Sequence, residues 1–138
     1  AETLAADPSA RLATACRPLD HQEEYENPDI VKVIRDHKNF ALYFSRAPIP
    51  FTRTTPPTDR SGIHWSIIRR HIGLYAYRVG YLKDFLRQDP APLERAEKLE
   101  QLRALWNGES ILVCDAVQTP GPGVDTLADL EAAIRYFS

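Results

Sequence analysis

The chain has 138 residues, is 43% hydrophobic and 26% charged, and carries a formal net charge of -2 at pH 7. These values are ordinary for one globular domain and give no overall field that would attract nucleic acid or a membrane. No apolar run approaches the ~20 residues that cross a bilayer, and the first residues lack the basic start and apolar block of a signal peptide. We therefore expect a cytoplasmic protein without nucleic-acid or membrane partners, in which Cys16 and Cys114 are buried free thiols.

The first part of the chain predicts short strands separated by turns. The elements are a helix end at Glu2–Ala6, a strand at Arg11–Leu19, a helical turn at His21–Glu26, and strands at Ile30–Arg35 and Phe40–Ser45. A hairpin turn at His37–Asn39 joins the last two strands. The segment Ala47–Ile63 holds four prolines among Thr, Arg and Asp residues, so it predicts a long mobile loop.

The segment Arg69–Arg78 is the most informative, because its side chains alternate as in a strand. One face carries Ile72, Leu74 and Ala76, and the other carries His71, Gly73, Tyr75 and Tyr77. The glycine leaves the backbone open to approach, and the polar tips of the histidine and tyrosines around it can hold a ligand. This pattern therefore predicts a face that binds a ligand and is not built only for packing.

The last part of the chain predicts helices around one more strand. The elements are a helix at Gly80–Arg87, a second helix at Pro92–Asn107 with Leu99, Leu102, Leu105 and Trp106 on one stripe, a strand at Ile111–Gln118, a turn at Pro120–Gly123, and a final helix at Thr126–Tyr136. Thr126 and Asp129 fit a capping box. Strands mixed with helices predict one α/β domain, with no internal repeat.

On the predicted strands, two sets of polar residues could bind a ligand: Arg46, and the pair His71 and Tyr75. Arg46 ends a strand just before the proline-rich loop, where it could grip a carboxylate or phosphate bidentately; the alternative is a surface ion pair. His71 and Tyr75 share a strand face. Because nothing near them in sequence supplies a nucleophile, hydrogen bonding to hydroxyls or to an acid is favoured over general-base chemistry, and a satisfied core histidine is the alternative.

Two further candidates lie on the predicted helices. Glu100 and Gln101 sit at the edge of the apolar stripe, where acceptors and donors side by side would suit a polyhydroxylated ligand; the alternative is a solvated helix face. Asp125 lies on a glycine-rich turn before the last helix, a suitable place for a hard divalent cation, although one carboxylate is not a site. The alternative for Asp125 is helix capping.

Four blocks, in order along nearly the whole chain, carry a specific family resemblance. The blocks are Phe40–Pro50, Arg70–Arg78, Leu93–Glu94 with Leu99–Trp106, and Gly123–Thr126 with Asp129–Glu131. They resemble the 3-deoxy-manno-octulosonate cytidylyltransferases, the CMP-Kdo synthetases of Gram-negative lipopolysaccharide synthesis. Asn27-Pro28 followed by Val31–Val33 fits as well.

The resemblance implies a nucleotidyltransferase (Rossmann-like) mixed sheet with flanking helices, working as a homodimer. It implies the transfer of a cytidylyl group from CTP to the sugar acid Kdo, which gives CMP-Kdo and pyrophosphate and uses Mg²⁺. It also implies that Arg46 pairs with the sugar carboxylate, while His71, Tyr75, Glu100 and Gln101 hold its hydroxyls. Asp125 would be one of two metal-binding aspartates.

Two motifs of that family do not occur in this chain. They are the opening loop Pro-Ala-Arg-x-x-Ser-x-Arg-Leu-Pro-Gly-Lys, which cradles the CTP phosphates, and Gln-Gly-Asp-x-Pro, which supplies the other aspartate. Residues 1–138 therefore resemble the C-terminal sugar-binding and dimerisation part of a single cytidylyltransferase domain, incomplete without the N-terminal half. We expect this fragment alone to be inactive. The alternatives are a non-catalytic sugar-acid binding or dimerisation module, and an enzyme that takes an amino variant of Kdo.

Overall fold

The computed structural model describes residues 2–51, 53, 63–118 and 127–137. The strands are β1 (Leu12–Pro18), β2 (Lys32–Arg35), β3 (Ala41–Ser45), β4 (Arg69–Tyr77) and β5 (Ile111–Asp115). The helices are α1 (Glu2–Ala6), α2 (Gln22–Glu26), α3 (Ile63–Ile67), α4 (Val79–Phe85), α5 (Pro92–Glu97), α6 (Gln101–Trp106) and α7 (Leu127–Phe137).

The five strands form one mixed sheet in the order β3-β2-β4-β1-β5. Strands β1 and β5 are parallel, and the other pairs are antiparallel. The predicted α/β class with a mixed sheet and flanking helices is confirmed. The predicted hairpin between β2 and β3 is also confirmed, since the Asp36 carboxylate accepts from the backbone N–H groups of Lys38 and Phe40 and Asn39 adopts a left-handed φ of 67°.

Alternation along the strands divides the core between the two faces of the sheet. On one face, Leu12, Val113 and their neighbours pack under α4 and α6, together with Phe85 and Leu102. On the other face, Ala13, Leu112 and Ala76 pack against Leu4 of the short helix α1. The first face therefore holds the main core, and the second is covered less completely: Leu74 is 70% exposed.

Strand β4 carries an irregularity at its centre. Thr14 lies opposite Tyr75, but the next residue of β1, Ala15, lies opposite Ile72, so Gly73 and Leu74 are unmatched. The Thr14 hydroxyl fills the gap, 3.1 Å from the carbonyl of Ile72 and 3.0 Å from that of Leu74. A Cβ built on Gly73 would meet no heavy atom within 4 Å, which leaves open space beside the backbone.

The prediction of one helix over Pro92–Asn107 is wrong. Helix α5 ends at Glu97, Lys98 adopts a left-handed φ of 55°, and α6 begins at Gln101. The break lets Leu99 turn into the core, where it is buried, and releases the Glu97 carbonyl from the helical ladder. Tertiary contacts therefore override the helix propensity of this segment.

Other expectations differ in smaller ways. Helix α3 was not predicted, β5 ends at Asp115 rather than at residue 118, and Trp106 is exposed rather than part of the buried stripe. Both cysteines are free as predicted, Cys16 buried and Cys114 half-buried. Most of the predicted loop, the turn at Pro120–Gly123, the cap Thr126 and Asp125 lie outside the described residues. None of the described helices has the length and apolar character needed to cross a membrane.

Candidate ligand-binding site

His71 lies on the helix-covered face of β4 and is neutral at pH 7. Its Nε2 is 2.9 Å from Thr14 Oγ1, and its ring packs edge-on against Phe44 and tilted against Tyr75. Burial lowers the pKa of His71 from 6.5 to about 4. The Thr14 hydroxyl has one proton and two carbonyls within range, so the geometry favours donation from His71 Nε2–H to Thr14, which leaves Nδ1 as an acceptor.

Two tyrosines that pack in the core on this face, Tyr75 and Tyr81, have buried hydroxyl groups without partners. Four buried side-chain atoms in the described part of the chain make no hydrogen bond: Tyr75 Oη, Tyr81 Oη, Gln101 Nε2 and Arg69 Nε. Burial raises the pKa of Tyr75 far above its usual value, and the nearby Tyr77 and Glu100 raise it further. Thr14 lowers this pKa, although it does not form a hydrogen bond with Tyr75 Oη. Such orphaned groups are rare in native proteins, and a bound ligand is one way to satisfy them.

Glu100 and Gln101 occupy the break between α5 and α6. Gln101 is only 3% exposed, so it does not lie on a solvated helix face, whereas Glu100 is exposed. The Glu100 charge raises the pKa values of both Tyr75 and Tyr77, which places it near these two phenols. The break thus sets the Glu100 carboxylate near the tyrosines of β4, and the buried Gln101 follows it in the chain.

Arg46 follows β3 and is held by main-chain carbonyls. Its Nε donates to the carbonyl of Glu97 at 2.8 Å, and its Nη1 donates to the carbonyl of Pro28 at 3.0 Å. These bonds use two of the five N–H groups of an arginine side chain, and no described residue accepts from Nη2. Arg46 is therefore oriented by carbonyl groups, and no carboxylate among the described residues pairs with its guanidinium as the surface ion pair considered from the sequence would require.

Contacts of four predicted ligand-binding residues, or of their neighbours in the chain, relate them to one region of the fold, and Gln101 follows Glu100 in the chain. Arg46 contacts Glu97, which lies three positions before Glu100 and four before Gln101. Phe44, two positions before Arg46, packs on His71, and His71 packs on Tyr75. The charge of Glu100 in turn raises the pKa of Tyr75. Asp125 lies outside the described residues. The roles of these residues toward a sugar acid stay predictions.

Sequence reasoning missed Thr14, Lys32, Ser45 and Glu97. The Glu97 carboxylate accepts from Ser45 Oγ at 2.6 Å and from the backbone N–H of Arg46 at 2.9 Å. Lys32 is fully buried and donates to three carbonyls, one of them that of Arg46. A lysine in the middle of an apolar alternating strand was the one signal that could have indicated such a role.

Known proteins resemble this chain over nearly its whole length. A family model described as cytidylyltransferase matches residues 1–111. The 3-deoxy-manno-octulosonate cytidylyltransferase of Halorhodospira halophila is 51% identical over 98% of this chain and 53% of its own length. That of Pseudomonas syringae pv. syringae is 48% identical over 99% of this chain and 54% of its own length.

A solved structure gives the same result. It is described as CMP:2-keto-3-deoxy-manno-octonic acid synthetase complexed with CTP; it superposes with a TM-score of 0.81 at 35% identity, over 99% of this chain and 53% of that one. The resemblance drawn from the sequence blocks and the nucleotidyltransferase fold class are thereby confirmed. The chain spans about half the length of the curated relatives it matches.

Proposed function

Since this chain belongs to the cytidylyltransferase family, we propose that it is part of an enzyme that transfers a cytidylyl group from CTP to Kdo for lipopolysaccharide synthesis, with release of pyrophosphate. The observation that carries the proposal is the pair of buried, unpartnered donors, Tyr75 Oη and Gln101 Nε2, in the region of a neutral His71 and the Glu100 carboxylate. This set offers donors and acceptors to the hydroxyls of a sugar, and Arg46 offers N–H groups to its carboxylate.

The chemistry requires positioning more than side-chain reactivity. A hydroxyl oxygen of the sugar attacks the α-phosphorus of CTP, the new P–O bond forms, and pyrophosphate leaves. Arg46 would fix the carboxylate end of the sugar. His71 Nδ1 and Glu100 would accept from its hydroxyls, while Tyr75 and Gln101 would donate. Holding the sugar at several points orients the attacking oxygen and lowers the entropic part of the barrier.

We propose Mg²⁺ as the metal, with Asp125 as one of its ligands. Within residues 2–51, 53, 63–118 and 127–137, no group of three or more His, Cys, Asp or Glu side chains could hold a metal ion. A carboxylate oxygen suits Mg²⁺, but a single one leaves most of the coordination to phosphate oxygens, water and a second aspartate. When bound, the ion would neutralise charge on the phosphates. This proposal and that of a homodimer rest on the family resemblance, and we also propose the cytoplasmic location that the two free cysteines favour.

Isothermal titration of Kdo into the 138-residue chain tests the function. We expect saturable binding that weakens at least about tenfold in Arg46→Ala, because a charge-assisted bidentate contact is lost. Arg95→Ala, which removes an exposed arginine of α5, is the matched control and should leave binding unchanged. No binding of Kdo at about 10 mM, far above a micromolar dissociation constant, would remove the basis of the proposal.

A second measurement separates the enzyme from a non-catalytic sugar-acid module. The purified chain should form no CMP-Kdo, because it lacks the predicted phosphate cradle. Supplying the N-terminal half of the Halorhodospira halophila relative as a separate polypeptide should restore CMP-Kdo formation if the chain is the second half of the enzyme. Kdo binding without any restored activity would favour the module, and activity of the chain alone would contradict the predicted inactivity.

A further inference from the structure

The main chain at Arg46 is held from both sides by side chains that are distant in sequence. Its N–H donates to Glu97 Oε2 at 2.9 Å, and its carbonyl accepts from Lys32 Nζ at 2.6 Å. The preceding residue joins the same arrangement, because Ser45 Oγ donates to Glu97 Oε1 at 2.6 Å and accepts from Ala47 N at 3.0 Å. The backbone that carries the Arg46 side chain therefore has little freedom to rotate.

Lys32 is an unusual residue to bury. It has no solvent-accessible surface, and its ammonium group uses its three donors on the carbonyls of Asn27, Ile30 and Arg46. Burial opposes the charged form, and the Glu97 carboxylate favours it. Taking an ammonium group out of water is costly, and a hydrophobic residue in its place would avoid that cost. Unlike an apolar residue, the Lys32 ammonium group bonds both to the carbonyl of Arg46 and to carbonyls of the turn at residues 27–30, and so links the two segments.

Glu97 acts on Arg46 through its main chain as well as its carboxylate. In an unbroken helix its carbonyl would accept from the N–H of Gln101. Here the left-handed Lys98 ends α5, and the Glu97 carbonyl instead accepts from Arg46 Nε at 2.8 Å. The helix break that sequence analysis did not predict therefore supplies the bond that orients the guanidinium.

We propose that Glu97 and Lys32 are positioning residues that hold Arg46 ready for the carboxylate of the sugar acid. The inference rests on the proposed function, in which Arg46 binds that carboxylate. Glu97 fixes the N–H and Nε of Arg46 and Lys32 fixes its carbonyl, while no described residue accepts from the guanidinium N–H groups other than Nε and one N–H of Nη1. Both residues act on the ligand only through Arg46.

The test compares Kdo with its analogue in which the carboxylate is reduced to an alcohol, each titrated into the full 138-residue chain. Wild type should bind Kdo at least about tenfold more tightly than the alcohol. Glu97→Ala should lose part of this preference, because it removes the carboxylate bonds to Arg46 N and Ser45 Oγ and keeps the main-chain bond to Arg46 Nε, and it should bind the alcohol as wild type does. Glu97→Gln should keep most of it, because its amide oxygen still accepts from Arg46 and its amide nitrogen can donate to Ser45. Glu23→Ala, at an exposed position of α2, is the matched control.

The outcomes separate this inference from the proposed function. If Arg46→Ala leaves the preference for Kdo intact, the role of Arg46 fails and the positioning role with it. If Arg46→Ala removes the preference but Glu97→Ala leaves it at the wild-type value, the proposed function stands and the positioning role is wrong. Equal weakening of both ligands by Glu97→Ala would show a general structural role and overturn the inference.

A double variant and Lys32→Met keep the test decisive if Glu97→Ala is destabilised. Because Glu97 acts through Arg46, the folded fraction of the double variant Arg46→Ala/Glu97→Ala should bind Kdo as Arg46→Ala does, whereas additive losses would overturn the inference. Lys32→Met keeps the volume but removes the bond to the Arg46 carbonyl. It should reduce the preference for Kdo over the alcohol in the fraction that is folded, as measured by circular dichroism, and an unchanged preference would count against the role of Lys32.

Discussion

Two polar regions of this molecule treat their hydrogen-bonding groups in opposite ways. The ligand wall, defined as Arg46, His71, Tyr75, Glu100 and Gln101, leaves a buried hydroxyl and a buried amide without partners. The arginine network, defined as Arg17, Glu24, Arg35, Arg69, Arg70 and Asp115, pairs its charges instead. Arg17 and Arg70 share Glu24, and Arg35 binds Asp115 at 2.6 Å. Only Arg69 Nε, 3.4 Å from Asp115, falls outside hydrogen-bond geometry there.

The difference distinguishes groups that serve stability from groups that await a ligand. A buried polar atom without a partner costs free energy, so its persistence calls for a functional reason. A paired carboxylate is stabilised in its charged form: burial raises the pKa of Glu24, but bonds from Asp20 N, Arg17 and Arg70 outweigh burial and lower it. Changes in the network should therefore alter the free energy of unfolding, and removal of the unpartnered groups of the wall should alter ligand binding.

The largest effect should come from acidification, which acts on the two regions in different pH ranges. The folded-state pKa of His71, about 4, lies below its unfolded value of 6.5, so the unfolded state takes up a proton first. Neutral His71 therefore contributes about 3 kcal/mol to the free energy of unfolding above pH 6.5, and this contribution is lost as the pH falls from 6.5 to 4. Urea unfolding of wild type and His71→Gln from pH 7.5 to 4 measures this loss, which should be absent from the variant and unchanged in the control His21→Gln.

The network should respond only at lower pH. The pKa values of Glu24 and Asp115 are lowered from 4.5 and 3.8 in the folded state, so their stabilisation is present above those values and is lost as the pH falls through the folded pKa. An equal slope between pH 6.5 and 4.5 in wild type and His71→Gln would show that the wall does not contribute in this range.

Glu24→Ala should have the next largest effect and should affect stability only. The substitution leaves two arginines without a shared carboxylate, and the Arg17 side chain is only 12% exposed. We expect the free energy of unfolding to fall by about 2 kcal/mol, with Kdo affinity unchanged. Glu23→Ala, its exposed neighbour, should change stability by less than about 0.5 kcal/mol. A loss of Kdo affinity in folded Glu24→Ala would mean that the two regions are coupled.

The wall and the network also differ in how far they could be predicted from the sequence. Strand β4 and its two faces follow from local alternation, which is why His71 and Tyr75 were found together. The bond between His71 and Thr14 spans 57 positions, and the bond between Arg46 and Glu97 spans 51, so no local pattern encodes them. The helix breaks at Lys98, where the sequence has no glycine or proline to mark a helix end. The break therefore depends on contacts that form only in the folded chain.

Tyr75→Phe should separate binding from stability at a single atom. The Tyr75 hydroxyl has no partner, so its removal should leave the free energy of unfolding unchanged or raise it by up to about 1 kcal/mol, while Kdo affinity falls about tenfold. Tyr25→Phe is the matched control, because the buried Tyr25 hydroxyl donates to the carbonyl of Pro50 at 2.8 Å. It should destabilise the chain by about 1 kcal/mol and leave binding intact. The reverse pattern would place the functional hydroxyl outside the wall.

The smallest effect should come from filling the open space on β4. Gly73 has no left-handed φ, and an added Cβ would meet nothing within 4 Å, so Gly73→Ala should fold with its free energy of unfolding within about 0.5 kcal/mol of wild type. If the ligand uses this space to approach the backbone, the methyl group should weaken Kdo binding by about two- to fivefold. Gly80→Ala also meets nothing within 4 Å but lies in α4, so it should leave binding unchanged. Unaltered Kdo affinity in Gly73→Ala would move the ligand away from the centre of β4 and toward Arg46 and the helix break.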